Sequence, residues 1–248
     1  MNRHSAFLTC ILIAFGSAAH AQQPSNISDG ELALLPQYCR DRFVLETSNR
    51  HRDIPPLAVY WISKMGQSFW AMHHYCWAKI NQRRIFATES ATKWRMDQLV
   101  GVIGDLGYVL KNSPPDFIML PEIYSALGEV ELLRKNPAAA IGHFNTARKL
   151  KPSYPPPYQM WSEYLLSTGK NDEAKALLKV GLEHNSTAVN LQVMYKKLGG
   201  DPKTIVPVDP PAALAPAASQ ASTDPAAPPA SAPALPAEAN SSPESGTR

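Results

Sequence analysis

Between Glu31 and Gly200 apolar residues recur at spacings of three and four, punctuated by proline and glycine, and no alternating strand pattern stands out. The fold class is therefore expected to be all-α. A first short helix is expected over Glu31 to Phe43 and a second over Leu57 to Met65, with the polar stretch Thr47 to Pro56 as a loop between them. From Ser68 to about Thr88, the residues Phe69, Met72, His73, Cys76, Trp77 and Ile80 share one helical face, which must be buried. A longer helix from about Ala91 to Asn112 carries Leu99, Val102, Ile103, Leu106, Val109 and Leu110 before Ser113-Pro114-Pro115 ends it. Together these last two form a degenerate hairpin that closes an N-terminal helical region of residues 31–113.

From residue 116 the punctuation becomes regular. Pro121 stands at a helix start, Asn136-Pro137 is a cap followed by a first-turn proline, and Lys151-Pro152 stops the second helix. Pro157, Gly169, Asn171 and Asn185 repeat this at a period of about 34 residues. At that period residues 121–154 and 155–188 resemble tetratricopeptide repeats, which are helix-turn-helix modules. The first unit carries Tyr124, Leu127-Gly128, Ala140, Phe144, Ala147 and Pro152 at the family positions, with Glu131 departing where an aromatic is usual. The second keeps Tyr158, Gly169, Ala174, Leu178 and Gly181, but Trp161-Ser162 replaces Leu-Gly and Ser186 the closing proline. Small residues at Gly128, Ala140, Ala147 and Gly181 are needed where neighbouring helices approach closely. Ser186 to Leu198 reads as a capping helix, so the stack of residues 116–200 ends at Gly199-Gly200. The chain as a whole also resembles secreted tetratricopeptide proteins of proteobacteria that share a Leu-Pro-x-Tyr-Cys segment, here Leu35 to Cys39, and a His-His-Tyr-Cys-Trp segment, here His73 to Trp77.

The two ends follow other rules. Met1 to Ala21 joins Arg3 and His4 to an apolar run from Ala6 to Phe15 and a small-x-small site at Ala19-His20-Ala21, the pattern of a cleaved signal peptide. That run is too short to span a bilayer, which needs about 20 residues. Residues 22–30 are a linker. Residues 201–248 are rich in proline, alanine and serine without apolar periodicity, so a disordered tail is expected. The expected location is periplasmic or secreted, with no membrane span after cleavage.

Export leaves two cysteines, Cys39 and Cys76, in an oxidising compartment, where one intramolecular disulfide is expected against the alternative of two buried thiols. The net charge of +3 is made of interspersed acids and bases, which predicts no nucleic-acid partner. Gly101, Gly104 and Gly107 lack the spacing and the preceding strand of a phosphate-binding loop. Within a helix each costs roughly 1 kcal/mol relative to alanine, so a close helix approach is expected there. No haem-attachment, nucleophile-elbow or zinc-protease motif is present, and neither an enzyme nor a cofactor is expected.

What the repeat resemblance implies is a protein or peptide partner held on a concave surface lined by the first helix of each hairpin, here Glu122, Ser125, Glu129, Leu132, Gln159, Glu163 and Leu166. The Lys and Asn residues with which some family members clamp a carboxylate are replaced by acids, so a neutral or basic segment is the expected ligand. An adaptor in an envelope-associated assembly follows. The alternative is a periplasmic small-ligand or metal-binding protein using the region from His73 to Trp77; His73 and Cys76 are one helical turn apart, although adjacent His73 and His74 diverge by about 100°.

Overall fold

The structure, a computed structural model, describes residues 27–47, 55–87 and 91–208. The expected signal peptide and nearly all of the expected tail lie outside these residues, as does most of the loop between Thr47 and Pro56.

All regular secondary structure among the described residues is helical, without strands. The first expected helix is divided in two, α1 (Asp29–Ala33) and α2 (Gln37–Thr47). Proline at position 36 explains the break, since it disfavours helical backbone at the residue before it and suits a helix start. Ser28 caps α1 in a reciprocal box with Glu31. Next comes α3 (Pro56–Met65), ending at Gly66 with φ 64°. The helix expected from Ser68 begins instead as a 3-10 stretch, Gly66–Ala71, and becomes α4 (Met72–Ala87). Three hairpins follow in chain order: α4 with α5 (Thr92–Lys111), α6 (Leu120–Leu133) with α7 (Pro137–Leu150), and α8 (Pro156–Ser167) with α9 (Asn171–His184). Each pair packs along its length, α5 meets α6, α7 meets α8, and the first helices α6 and α8 also touch. The last helix, α10 (Val189–Lys197), lies on α9 and α8.

The second and third hairpins repeat in their hydrogen bonds as well as in their residues. At the first turn Lys135 N–H donates to Leu132 O and Asn136 N–H to Glu131 O; 34 residues on, Gly169 N–H donates to Leu166 O and Lys170 N–H to Leu165 O. Packing follows the same period. Ala140 and Ala174, and Phe144 and Leu178, are fully buried pairs one repeat apart. Close approach at Gly128 is real: a Cβ there would stand 2.6 Å from the Phe144 ring. At Gly181 it would meet Leu191 at 2.8 Å and Tyr158 at 2.9 Å. Ser162 takes the place of Gly128 in the next hairpin, and its hydroxyl is buried without a hydrogen-bond partner.

Two expectations are corrected. Among the described residues, and apart from the local backbone of α5 itself, nothing lies within 4 Å of a Cβ built on Gly101, Gly104 or Gly107, so no described helix packs closely on those positions. Structure also continues past Asp201: Pro202–Thr204 forms a 3-10 turn capped by Asp201, Ile205 is buried against Leu182, Leu191 and Tyr195, and Val208 N–H donates to Glu183 O at 2.8 Å. The apolar pair Ile205 and Val206 within a proline-rich stretch supplies the residue that docks.

Candidate functional groove

The N-terminal segment packs across the first helices of the stack. The Cys39–Cys76 disulfide joins α2 to α4, as expected for the oxidised chain. Around it, Arg84 on α4 pairs with Glu31 on α1, Arg83 Nη2 donates to Leu34 O, and Arg42 on α2 lies over the Trp70 ring and donates to its carbonyl oxygen. Trp61 Nε1 on α3 donates to Asp41 Oδ2 at 2.8 Å, tying α3 to α2.

Beside this segment runs a groove of about 260 Å³. One wall is Leu34, Leu35 and Pro36; the floor is Tyr75 and Lys79 on α4 with Glu122, Ser125, Ala126 and Glu129 on α6; the far wall is Tyr154, Pro156 and Met160, where α8 begins. Apolar stems and rings form most of this lining, and a few convergent polar groups are set among them, the usual composition of a ligand cleft.

Those polar groups are already arranged. Tyr38 on α2 and Tyr75 on α4 both donate their hydroxyls to Glu122 Oε1, Tyr38 at 2.8 Å. Burial first of all, with the charge of Glu122 added, pushes the pKa of the Tyr38, Tyr75 and Tyr154 hydroxyls up, so all three stay protonated. Two turns further along α6, Glu129 Oε2 receives Lys79 Nζ at 3.2 Å. Arg83, exposed at the rim, meets a carbonyl oxygen rather than a carboxylate.

Of the residues expected on the concave surface, Glu122, Ser125 and Glu129 line this groove. Ser125 is 2% exposed and its hydroxyl donates to Pro121 O at 2.7 Å, so its proton is committed to the helix backbone. Leu132 is half-buried beyond the groove lining. Gln159, Glu163 and Leu166 continue along α8 outside it: Gln159 Nε2 donates to Glu163 Oε1, and Gln159 Oε1 accepts from Asn190 on α10. The single concave strip expected from the sequence is thus split into a walled groove at α4 and α6 and an open face on α8.

Sequence spacing did not single out Tyr38, Lys79, Arg83 or Tyr154 as groove residues. Tyr38 and Tyr75 do fall in the two segments Leu35 to Cys39 and His73 to Trp77, and the structure brings those segments together through the disulfide and Glu122.

The rest of the segment from His73 to Trp77 is committed to packing. His73 Nδ1 is 2.8 Å from Trp70 O, and His74 Nδ1 is 2.8 Å from Asp105 Oδ1 with its ring against Tyr108. Burial raises the pKa of Asp105, against the opposing pull of His74. Trp77 is buried edge-on to Phe43, and Cys76 is spent in the disulfide, which removes it as a metal ligand. Among the described residues no three His, Cys, Asp or Glu side chains gather as a metal site, and no helix is long and apolar enough to cross a membrane.

No family model matches the chain, no curated protein matches it, and no solved structure matches it.

Proposed function

We propose that the chain is an exported tetratricopeptide-type scaffold, without catalytic activity, that holds a neutral or basic segment of a protein partner in an envelope-associated assembly, in the periplasm or outside the cell. The observation that carries this reading is the groove itself: a cleft lined by the first helices of consecutive hairpins and by a disulfide-fastened N-terminal wall. Its support is the 34-residue recurrence of turn hydrogen bonds and small-large packing pairs in the second and third hairpins, which agrees with the family pattern at Gly128, Phe144, Gly181 and Leu178. A cleft with tyrosine, proline and methionine walls suits an extended segment, whose side chains enter while its backbone stays outside.

The test is affinity capture from envelope extract with the oxidised protein and with Met160→Trp, a substitution that fills the far wall. The reading predicts one partner retained in stoichiometric amount by the native protein and lost by the variant. Equal retention by both would remove the groove from the binding surface.

A further inference from the structure

The two carboxylates that α6 presents to the groove are treated differently by the chain. Glu129 is supplied with its own ammonium group by Lys79 at 3.2 Å. Glu122 has no such counterion: among the described residues no Lys, Arg or His stands within ion-pair distance of it, and its hydrogen bonds are the two tyrosine hydroxyls. Both hydroxyls go to Oε1, which leaves Oε2 without a donor from the described residues in a half-buried carboxylate that lines the cleft. The same two bonds hold the carboxylate in place, so binding a cation there costs little further ordering of Glu122. The half-buried side chains of Tyr154 and Met160 line the same cleft and offer it aromatic and apolar surface, while Leu35 and Tyr75 are buried behind its lining.

We propose that Glu122 anchors a lysine side chain of the partner segment, its ammonium group on Oε2 and its alkyl stem along the groove walls. This rests on the scaffold reading above and names the side chain that the groove selects. Lysine is favoured over arginine on geometry. A guanidinium fork makes its strong contact through two parallel bonds to both carboxylate oxygens, and Oε1 already receives two hydroxyls; an ammonium group needs only one acceptor. Lys79 shows that α6 accepts this pairing, since it makes the same contact to Glu129 from within the chain.

The experiment is a nuclear magnetic resonance titration of the oxidised protein with three probes: the Nα-acetyl amides of lysine, arginine and norleucine. Saturable shifts centred on Tyr75, Glu122 and Tyr154 are expected with the lysine probe, with a dissociation constant several-fold lower than for the other two. In Glu122→Gln, which keeps an oxygen for both tyrosine hydroxyls, lysine binding should fall to the norleucine level. Equal binding of all three probes by the native protein overturns the proposal without recourse to any variant, and so does undiminished lysine binding by a folded Glu122→Gln. The scaffold reading fails separately, through the Met160→Trp capture: a partner lost there while the probes show no lysine preference leaves the groove standing and removes only the anchor.

Discussion

Lys135 and Gly169 occupy the same place in successive hairpin turns, 34 residues apart, and both have left-handed backbone, with φ 62° and 78°. Glycine adopts this conformation without a steric penalty, whereas lysine brings its Cβ toward the neighbouring carbonyl at a cost of about 1 kcal/mol. The first turn is held by other means: the buried Glu131 carboxylate accepts from Arg134 Nη1 and Asn136 Nδ2, both at 3.1 Å. Glu131, the residue that departs from the repeat pattern, thereby serves the turn that lacks a glycine.

Replacing Lys135 by glycine should therefore raise unfolding stability by about 1 kcal/mol, and replacing Gly169 by alanine should lower it by about as much. Urea unfolding of the two variants measures both signs. A Lys135→Gly variant no more stable than the parent would show that the side chain offsets its own strain.

The glycines divide into two kinds that spacing alone does not separate. At Gly101 and Gly104 an added methyl group meets open space within α5, so alanine at either should stabilise by up to about 1 kcal/mol. At Gly128 the methyl group meets the fully buried Phe144 ring at 2.6 Å, so alanine there should destabilise by about 1–3 kcal/mol. Thermal unfolding of the three single variants checks the opposite signs.

Reduction of Cys39–Cys76 frees a loop of sequence separation 37, for which the chain-entropy model gives a loss of about 4 kcal/mol. Because the bond fastens α2 to α4, the loss should fall first on the N-terminal wall. Hydrogen exchange after reduction should rise in α1 and α2 while α6 to α9 stay protected; uniform exchange across the chain would contradict a locally fastened wall.

The Glu31 carboxyl is held at a pKa of about 2, below the ordinary 4.5, chiefly by its hydrogen bond from Arg84 and then by the Ser28 backbone N–H. A carboxylate with a depressed folded-state value contributes stability above pH 4.5 that is lost as pH falls through about 2. The pair is partly open to water, so the effect is a slope rather than a collapse. Between those pH values the urea midpoint of the native protein should fall more steeply than that of Glu31→Gln, and parallel curves would deny Glu31 this part.

The positions of α5 to α10, the 34-residue period, the hairpin turns and the pairing of Cys39 with Cys76 follow from the sequence itself, whereas the division of the first expected helix into α1 and α2 and the 3-10 start before α4 differ from the reading by periodicity. Proline and glycine punctuation, caps and three-four spacing act within a few residues, and Cys39 and Cys76 are the two cysteines of the described residues. What tertiary structure alone decided was the fate of the expected surface. Glu122 meets hydroxyls from 84 and 47 residues away, and Glu129 meets a lysine 50 residues away. Periodicity places Glu122 and Glu129 on a face of α6, but whether that face is open depends on what the N-terminal segment does after the disulfide closes. The same limit explains Gly101, Gly104 and Gly107: a stripe without side chains permits a close neighbour, and none of the described residues supplies one. Local pattern is enough to build each helix, whereas the use of a side chain depends on groups that become neighbours only when distant segments pack.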